Sequence, residues 1–253
     1  MFILALTLKM QYIEFAPHAT LAPYIDAYWT AAGDSAGPQT ERILPDGCID
    51  IIFNVGPDCL SENNTYLLNS GQSYLIGTMT QFKETLMTPE TRLLGIRFKP
   101  AAFTVFYEYP SLEKLTDTTV AFDKKFVPDI NDIPKYSVQH LDSFFLKKLS
   151  KPKRSILPII TGIQKAKGQL SVRALAEKYF TTTRQLERAF NQQMGISPKE
   201  FINLVRYQTT FREIKNNTAQ KSLLQIAFEC GYYDHSHLTN EIKRYTGTAP
   251  AQL

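Results

Sequence analysis

The stretch from Thr182 to Pro198 recurs, in weaker form, 52 residues later from Asp234 to Pro250. Leu186 corresponds to Leu238, Phe190 to Ile242, Gly195 to Gly247 and Pro198 to Pro250. Each copy opens on a residue type that caps helices, Thr182 or Asp234. Each also follows a short apolar stretch carrying a Leu-Ala or Ile-Ala pair, Leu175-Ala176 or Ile226-Ala227. The pattern predicts two copies of one small unit: a short helix, a tight turn, and a second helix with a polar outer face. Such a helix-turn-helix unit lays its second helix in the major groove of DNA. A doubled unit constrains the reading far more than a single one, and the expectation is a chain that reads DNA.

Local signals place the helix ends. Thr182 with Gln185, Ser197 with Glu200, and Ser222 with Gln225 all fit the S/T-x-x-E/Q capping box. Pro198 suits the first position of its helix, and Gly195 and Gly247 stand where helices stop. The helix from Ser197 to about Asn216 is expected to run roughly 20 residues, or about 30 Å. Major-groove segments on one face of the duplex recur about every 34 Å. A rigid helix of that length serves as a spacer between two reading helices.

With Thr182 and Asp234 as caps, the first reading helix offers Thr183, Arg184 and Arg188, and the second His235, Ser236 and Asn240. Gln185 and His237 complete the candidate DNA-binding set. Positions two and six beyond the cap are four apart and share a face. Arginine there suits guanine and asparagine suits adenine. Leu186, Ala189 and Phe190 fall on the opposite, core face. Lys199, Arg206, Lys243 and Arg244 are phosphate candidates, although each is equally well read as a solvated side chain. His235-Ser236-His237 is not expected to bind metal, because residues two apart face different directions and no third ligand is near.

Charge supports this division of labour. Residues 151–253 hold 16 Lys and Arg against 7 Asp and Glu, a net of +9, whereas residues 1–150 net −5. Only the C-terminal part is expected to meet a polyanion. Cys48, Cys59 and Cys230 form no CxxC pair, which fits a reducing cytoplasm and neither a disulfide framework nor a zinc site. The opening Phe2–Leu8 run is too short to span a membrane and lacks signal-peptide features, so residues 1–9 read as an extension or a first strand.

From Tyr12 to about Val120 the sequence is strand-like, with Leu44-Pro45-Asp46-Gly47 as a turn and short strands over 48–55, 74–79 and 92–98. Short helices are expected over Ala101–Tyr107 and Pro134–Leu149, the latter with Val138, Leu141, Phe145 and Leu149 on one face. That face is a candidate dimerisation surface, or else a cap on its own β-core. The basic, Pro-containing stretch Lys147–Arg154 reads as a linker. The expected fold is therefore α+β in two domains. Residues 1–150 form a β-rich sandwich or barrel for effector binding or dimerisation, and residues 155–253 form an all-α double helix-turn-helix domain.

The C-terminal residues resemble the AraC-type family of bacterial transcription regulators. The resemblance is carried by Leu175-Ala176-Glu177, Arg184 through Phe190, Gly195-Ile196-Ser197-Pro198, Ile226-Ala227 through Gly231-Tyr232, Asp234 through Leu238, and Gly247-Thr248-Ala249-Pro250. It implies a seven-helix, double helix-turn-helix domain on double-stranded promoter DNA. RNA polymerase, a small-molecule effector and a second copy are further candidate partners. Phe180 departs from the family, standing where a turn glycine is usual, and Asn240 stands where arginine is frequent. The N-terminal half is similar, more weakly, to the cupin-like sensor domains of some such regulators, through Leu44–Asp50 and Gly95–Pro100. With only His18 and His140 in that half, no metal and no other cofactor are expected. Enzyme motifs of the GxSxG, HExxH, Walker and GxGxxG types are absent, so no catalytic residue is assigned. The alternatives are a DNA-repair methyltransferase-like protein and a non-transcriptional DNA-binding protein.

Overall fold

The computed structural model describes residues 10–34, 36–63, 65–129, 138–150, 155–217 and 220–253. Its first half is β-rich and its second half helical. Six strands form one antiparallel sheet in the order β1-β2-β9-β4-β7-β10. These are β1 (Gln11–Phe15), β2 (Ile25–Ala32), β4 (Ile49–Asn54), β7 (Ser73–Ile76), β9 (Arg92–Phe98) and β10 (Thr119–Ala121). Two ribbons lie apart from it: β3 (Gln39–Ile43) with β8 (Lys83–Met87), and β5 (Cys59–Ser61) with β6 (Tyr66–Leu68).

Period-two alternation sorts the faces of the main sheet. Ile49, Ile51 and Phe53 of β4 and Leu94, Ile96 and Phe98 of β9 fill one core with Phe103, Phe106, and Leu141 and Phe145 of α1 (Val138–Lys148). The apolar face of α1 thus caps its own sheet and is not a free dimerisation surface; residues 134–137 lie outside the described residues. The opposite sheet face meets the ribbons through Trp29, Tyr74 and Leu93 against Cys59, Leu68 and Met87. Trp29 lies on Gly95, where a Cβ would fall 2.0 Å from the indole, and its Nε1 donates to Asp50 at 2.7 Å.

Between this face and the ribbons is a cavity of about 100 Å³. Arg97 is buried at its wall. The guanidinium donates to Glu14 and to the Tyr12 hydroxyl, both at 3.1 Å, and its Nε stands 3.5 Å from Asp46 and 3.7 Å from Asp50. Burial pushes the Asp50 carboxyl up to about 6, against the pull of Arg97 and with the help of Asp46.

Two expected elements differ. The helix over 101–107 is a single 3-10 turn at Phe103–Val105. Ala101 takes a left-handed conformation, with φ +64°, and interrupts the helical path. The strand expected over 74–79 ends at Ile76, beyond which Thr78 turns outward to the helical half.

That half comprises α2 (Leu157–Lys165), α3 (Val172–Lys178), α4 (Thr183–Gln193), α5 (Pro198–Lys215), α6 (Leu223–Glu229), α7 (His235–Thr246) and a 3-10 turn at Pro250–Gln252. Residues 151–154 of the expected linker lie outside the described residues. Helix α5 is central, supplying Phe201, Leu204, Tyr207 and Phe211 to a core shared with Phe190, Leu238, Ile242 and Tyr245. Leu44 and Ala101 of the β-rich half join this core. The two halves also meet through polar contacts. Thr78 Oγ1 donates to Met194 O and Thr116 Oγ1 to Gly195 O, both at 2.7 Å. Arg42 Nη1 donates at 3.0 Å to Thr246 O and to Thr248 Oγ1.

The raised Asp50 pKa has a defined consequence for stability. The folded state holds this proton more tightly than the unfolded chain, so between about pH 4 and 6 stability falls as pH rises, and the effect is flat above that window. Asp50→Asn keeps an acceptor for Trp29 and is expected to flatten this decline, as measured by urea midpoints across pH 4–7.

Candidate DNA-reading surface

Both reading helices are set by the same local chemistry. Thr182 accepts from Gln185 N, and the Gln185 amide oxygen accepts in return from Thr182 N at 3.1 Å. Asp234 accepts from His237 N at 2.7 Å. Ser222 and Gln225 close a full capping box at α6. Ser197 caps α5, but its expected partner Glu200 does not reach back; that carboxylate is taken by Arg244 and Tyr245 of α7.

Leu186 and Phe190 of α4, and Leu238 and Ile242 of α7, are buried. The opposite faces present Thr183, Arg184, Gln185 and Arg188 from α4 and His235, Ser236, His237 and Asn240 from α7, all exposed. Within this set Gln185 is partly committed to its cap. His237 lies edge-on to Tyr232, ring centroids 5.2 Å apart, and 4.0 Å from Glu241. Helix α5 spans 18 residues, about 27 Å, slightly shorter than expected. Among the described residues no three His, Cys, Asp or Glu side chains are grouped to hold a metal, and no helix is long and apolar enough to cross a membrane.

The four phosphate candidates divide. Lys199 and Lys243 are exposed. Arg206 is turned inward, with Nη2 donating to Glu241 at 2.7 Å, Nε to the same carboxylate at 3.3 Å, and its guanidinium over Tyr232. Burial opposes the Arg206 charge, but the Glu241 and Tyr232 contacts outweigh it and hold the pKa up. Arg244 pairs with Glu200 at 2.6 Å. An arginine of α5 therefore holds a carboxylate of α7, and an arginine of α7 holds a carboxylate of α5. Two crossed pairs strap the spacer to the second reading helix.

Glu241 escaped the sequence reading, as did the ion-pair and hydrogen-bond roles of Glu200 and Tyr232. Glu241 had a legible signal, since it falls on the stripe Leu238, Glu241, Ile242, Tyr245, where an acid needs a buried partner. It is 8% exposed and also accepts from the Tyr232 hydroxyl at 2.7 Å.

The glycines that end the two units are both gripped from outside. Gly195 (φ +82°) would place a Cβ 2.6 Å from Leu112 O, and Gly247 (φ +72°) would place one 2.7 Å from the Phe82 ring. These equivalent positions thus need glycine for backbone conformation and for close approach by the β-rich half.

Two helix-turn-helix units on a shared central helix, behind a β-rich sandwich, define a double-unit DNA-binding architecture. Residues 175–253 match a family described as "Helix-turn-helix domain", and residues 13–121 match a "Domain of unknown function (DUF6597)". The chain carries an AraC-type helix-turn-helix domain at its C-terminus. Over 100 residues it is 31% identical to an "Uncharacterized HTH-type transcriptional regulator" of Haemophilus influenzae, covering 40% of this chain and 33% of that protein. It is 29% identical over 79 residues to the "HTH-type transcriptional activator RhaS" of Mannheimia succiniciproducens, covering 31% of this chain and 29% of that protein. The match thus spans about a third of the length of these curated relatives. Among solved structures, ToxT from Vibrio cholerae aligns with a TM-score of 0.47 at 15% identity, over 85% of this chain and 97% of that one.

Removing the Arg206 guanidinium strands a buried carboxylate. Arg206→Ala is expected to destabilise the fold by about 3 kcal/mol, seen as a lower urea midpoint with an unchanged slope. A pure phosphate-contact role would leave that midpoint in place.

Proposed function

We propose that the protein is a sequence-specific, DNA-binding transcription regulator that reads two adjacent major-groove segments and has no catalytic activity. The observation that carries this reading is the pair of equivalently capped helices. Each is anchored by a buried apolar stripe and turns exposed polar side chains outward. Helix α5, at about 27 Å, gives a spacing compatible with successive grooves. In this reading Arg184 and Arg188 contact bases of the first segment, with Thr183 and Gln185 beside them. Ser236 and Asn240, with His235 and His237, read the second less sharply. Lys199 and Lys243 contact phosphates, Arg244 does so only by sharing Glu200, and Arg206 braces α7.

Arg184→Ala or Arg188→Ala is expected to cost roughly 1–3 kcal/mol on the specific site and little on scrambled DNA. Lys199→Ala or Lys243→Ala is expected to weaken both DNAs alike and reduce the salt slope by about one. Equal losses on both DNAs for the two arginine variants would assign them to phosphates.

Residues 1–150 and 155–253 act, in this reading, as a sensing unit and a DNA-binding unit in the cytoplasm. Recruitment of RNA polymerase and self-association are compatible with it. The effector role is supported by a single layer of chain that separates the cavity from the helices. Glu41 and Ile43 line the cavity, while Arg42 between them holds the end of α7. Gly77 and Met79 line it too, while Thr78 holds the end of α4. A small molecule in the cavity therefore presses on the backbone that grips both units. A metabolite found by thermal shift is expected to change DNA affinity by the same factor by which DNA changes its own affinity. Ile43→Trp, which fills the space, is expected to abolish both effects.

A further inference from the structure

The turns of the two units close with the same hydrogen bond. Thr181 N donates to Ala176 O at 3.0 Å, and Tyr232 N to Ala227 O at 2.9 Å. The residue at the bend is left-handed in both: Gly231 at φ +78° in the second, but Phe180 at φ +50° in the first. The departure from glycine has therefore not altered the turn. A bulky side chain at such a position strains the backbone. The Phe180 ring gains no packing in return, because the residue is 98% exposed. Tyr233, immediately before the Asp234 cap, is 86% exposed. Each reading helix is thus preceded, within two residues of its cap, by an aromatic ring bare to solvent.

We propose that Phe180 and Tyr233 are apolar DNA contacts, packing on the carbon surface at the groove edge beside the first turn of each reading helix. This rests on the DNA-reading assignment. Thr183 and Arg184 follow Phe180 by three and four residues, and His235 and Ser236 follow Tyr233 by two and three. A ring so placed lies at the same end of the helix as the leading base-reading side chains. The accessible carbons there are thymine methyls and deoxyribose. An apolar contact adds affinity without releasing counterions, so its signature is a loss that does not depend on salt.

The test uses the full chain on its selected DNA site. Phe180→Gly removes both the strain and the ring. Its melting temperature is expected to rise by about 2–6 °C, while DNA affinity falls about five- to tenfold with an unchanged salt slope. Phe180→Tyr is expected to retain affinity, and Tyr233→Ala to lose a similar factor. Substituting deoxyuridine for each thymine in turn separates the sources. A position whose loss vanishes in Phe180→Gly identifies a methyl contact, and uniform tolerance identifies sugar. Unchanged affinity in Phe180→Gly, with Arg184→Ala still losing base preference, overturns this proposal and leaves the DNA reading standing. Absence of any specific site for the unaltered protein instead overturns the DNA reading itself.

Discussion

Much of this molecule depends on one layer of backbone having both faces occupied. Along β3, successive side chains alternate between the cavity and the helical half, because extended chain points neighbours in opposite directions, and in the irregular stretch after β7 Thr78 and Met79 divide in the same way. Glu41, Ile43 and Met79 line the cavity; Arg42 and Thr78 bond to the helical half. The alternation leaves no packing layer between the cavity and the ends of α4 and α7.

The grip works because it falls on equivalent points of an internal repeat. Gly195 and Gly247 each end a reading helix, and each lies too close to the β-rich half for a Cβ. Holding both constrains the relation between α4 and α7 from outside, while α5 constrains it from within. The crossed pairs Arg206–Glu241 and Arg244–Glu200 add a third tie, between α5 and α7. The more buried of these leaves Glu241 satisfied by Arg206 and Tyr232 together, which is the condition for a carboxylate to sit in an apolar stripe.

The two units are not equal. The first carries two exposed arginines four residues apart and a strained, solvent-exposed phenylalanine in its turn. The second has a relaxed glycine turn and shorter, neutral outward side chains at Ser236 and Asn240. The backbone hydrogen bonds of the turn are the same in both units, whereas the outward residues differ. Core positions tolerate little change in volume, whereas a residue facing solvent is constrained only by what it later contacts.

Most of the helical half was legible because its signals are local. Caps such as Thr182 with Gln185, stop glycines, and the apolar spacing of Leu186 with Phe190 act within a few residues and need no partner elsewhere. The same holds for β4 and β9, whose composition and turn residues mark their ends. Tertiary contact decided the rest. Glu200 could have completed its capping box, but Arg244 and Tyr245, brought beside it by folding, offered the stronger interaction. Arg206 looked like any basic residue until Glu241 was placed 35 positions away in sequence and 2.7 Å away in space. The sequence by itself determined that there are two capped, amphipathic units and which of their faces are apolar. Only the folded structure decided which charges remain outward and which are consumed in pairs, because a charge's partner is set by distance through space.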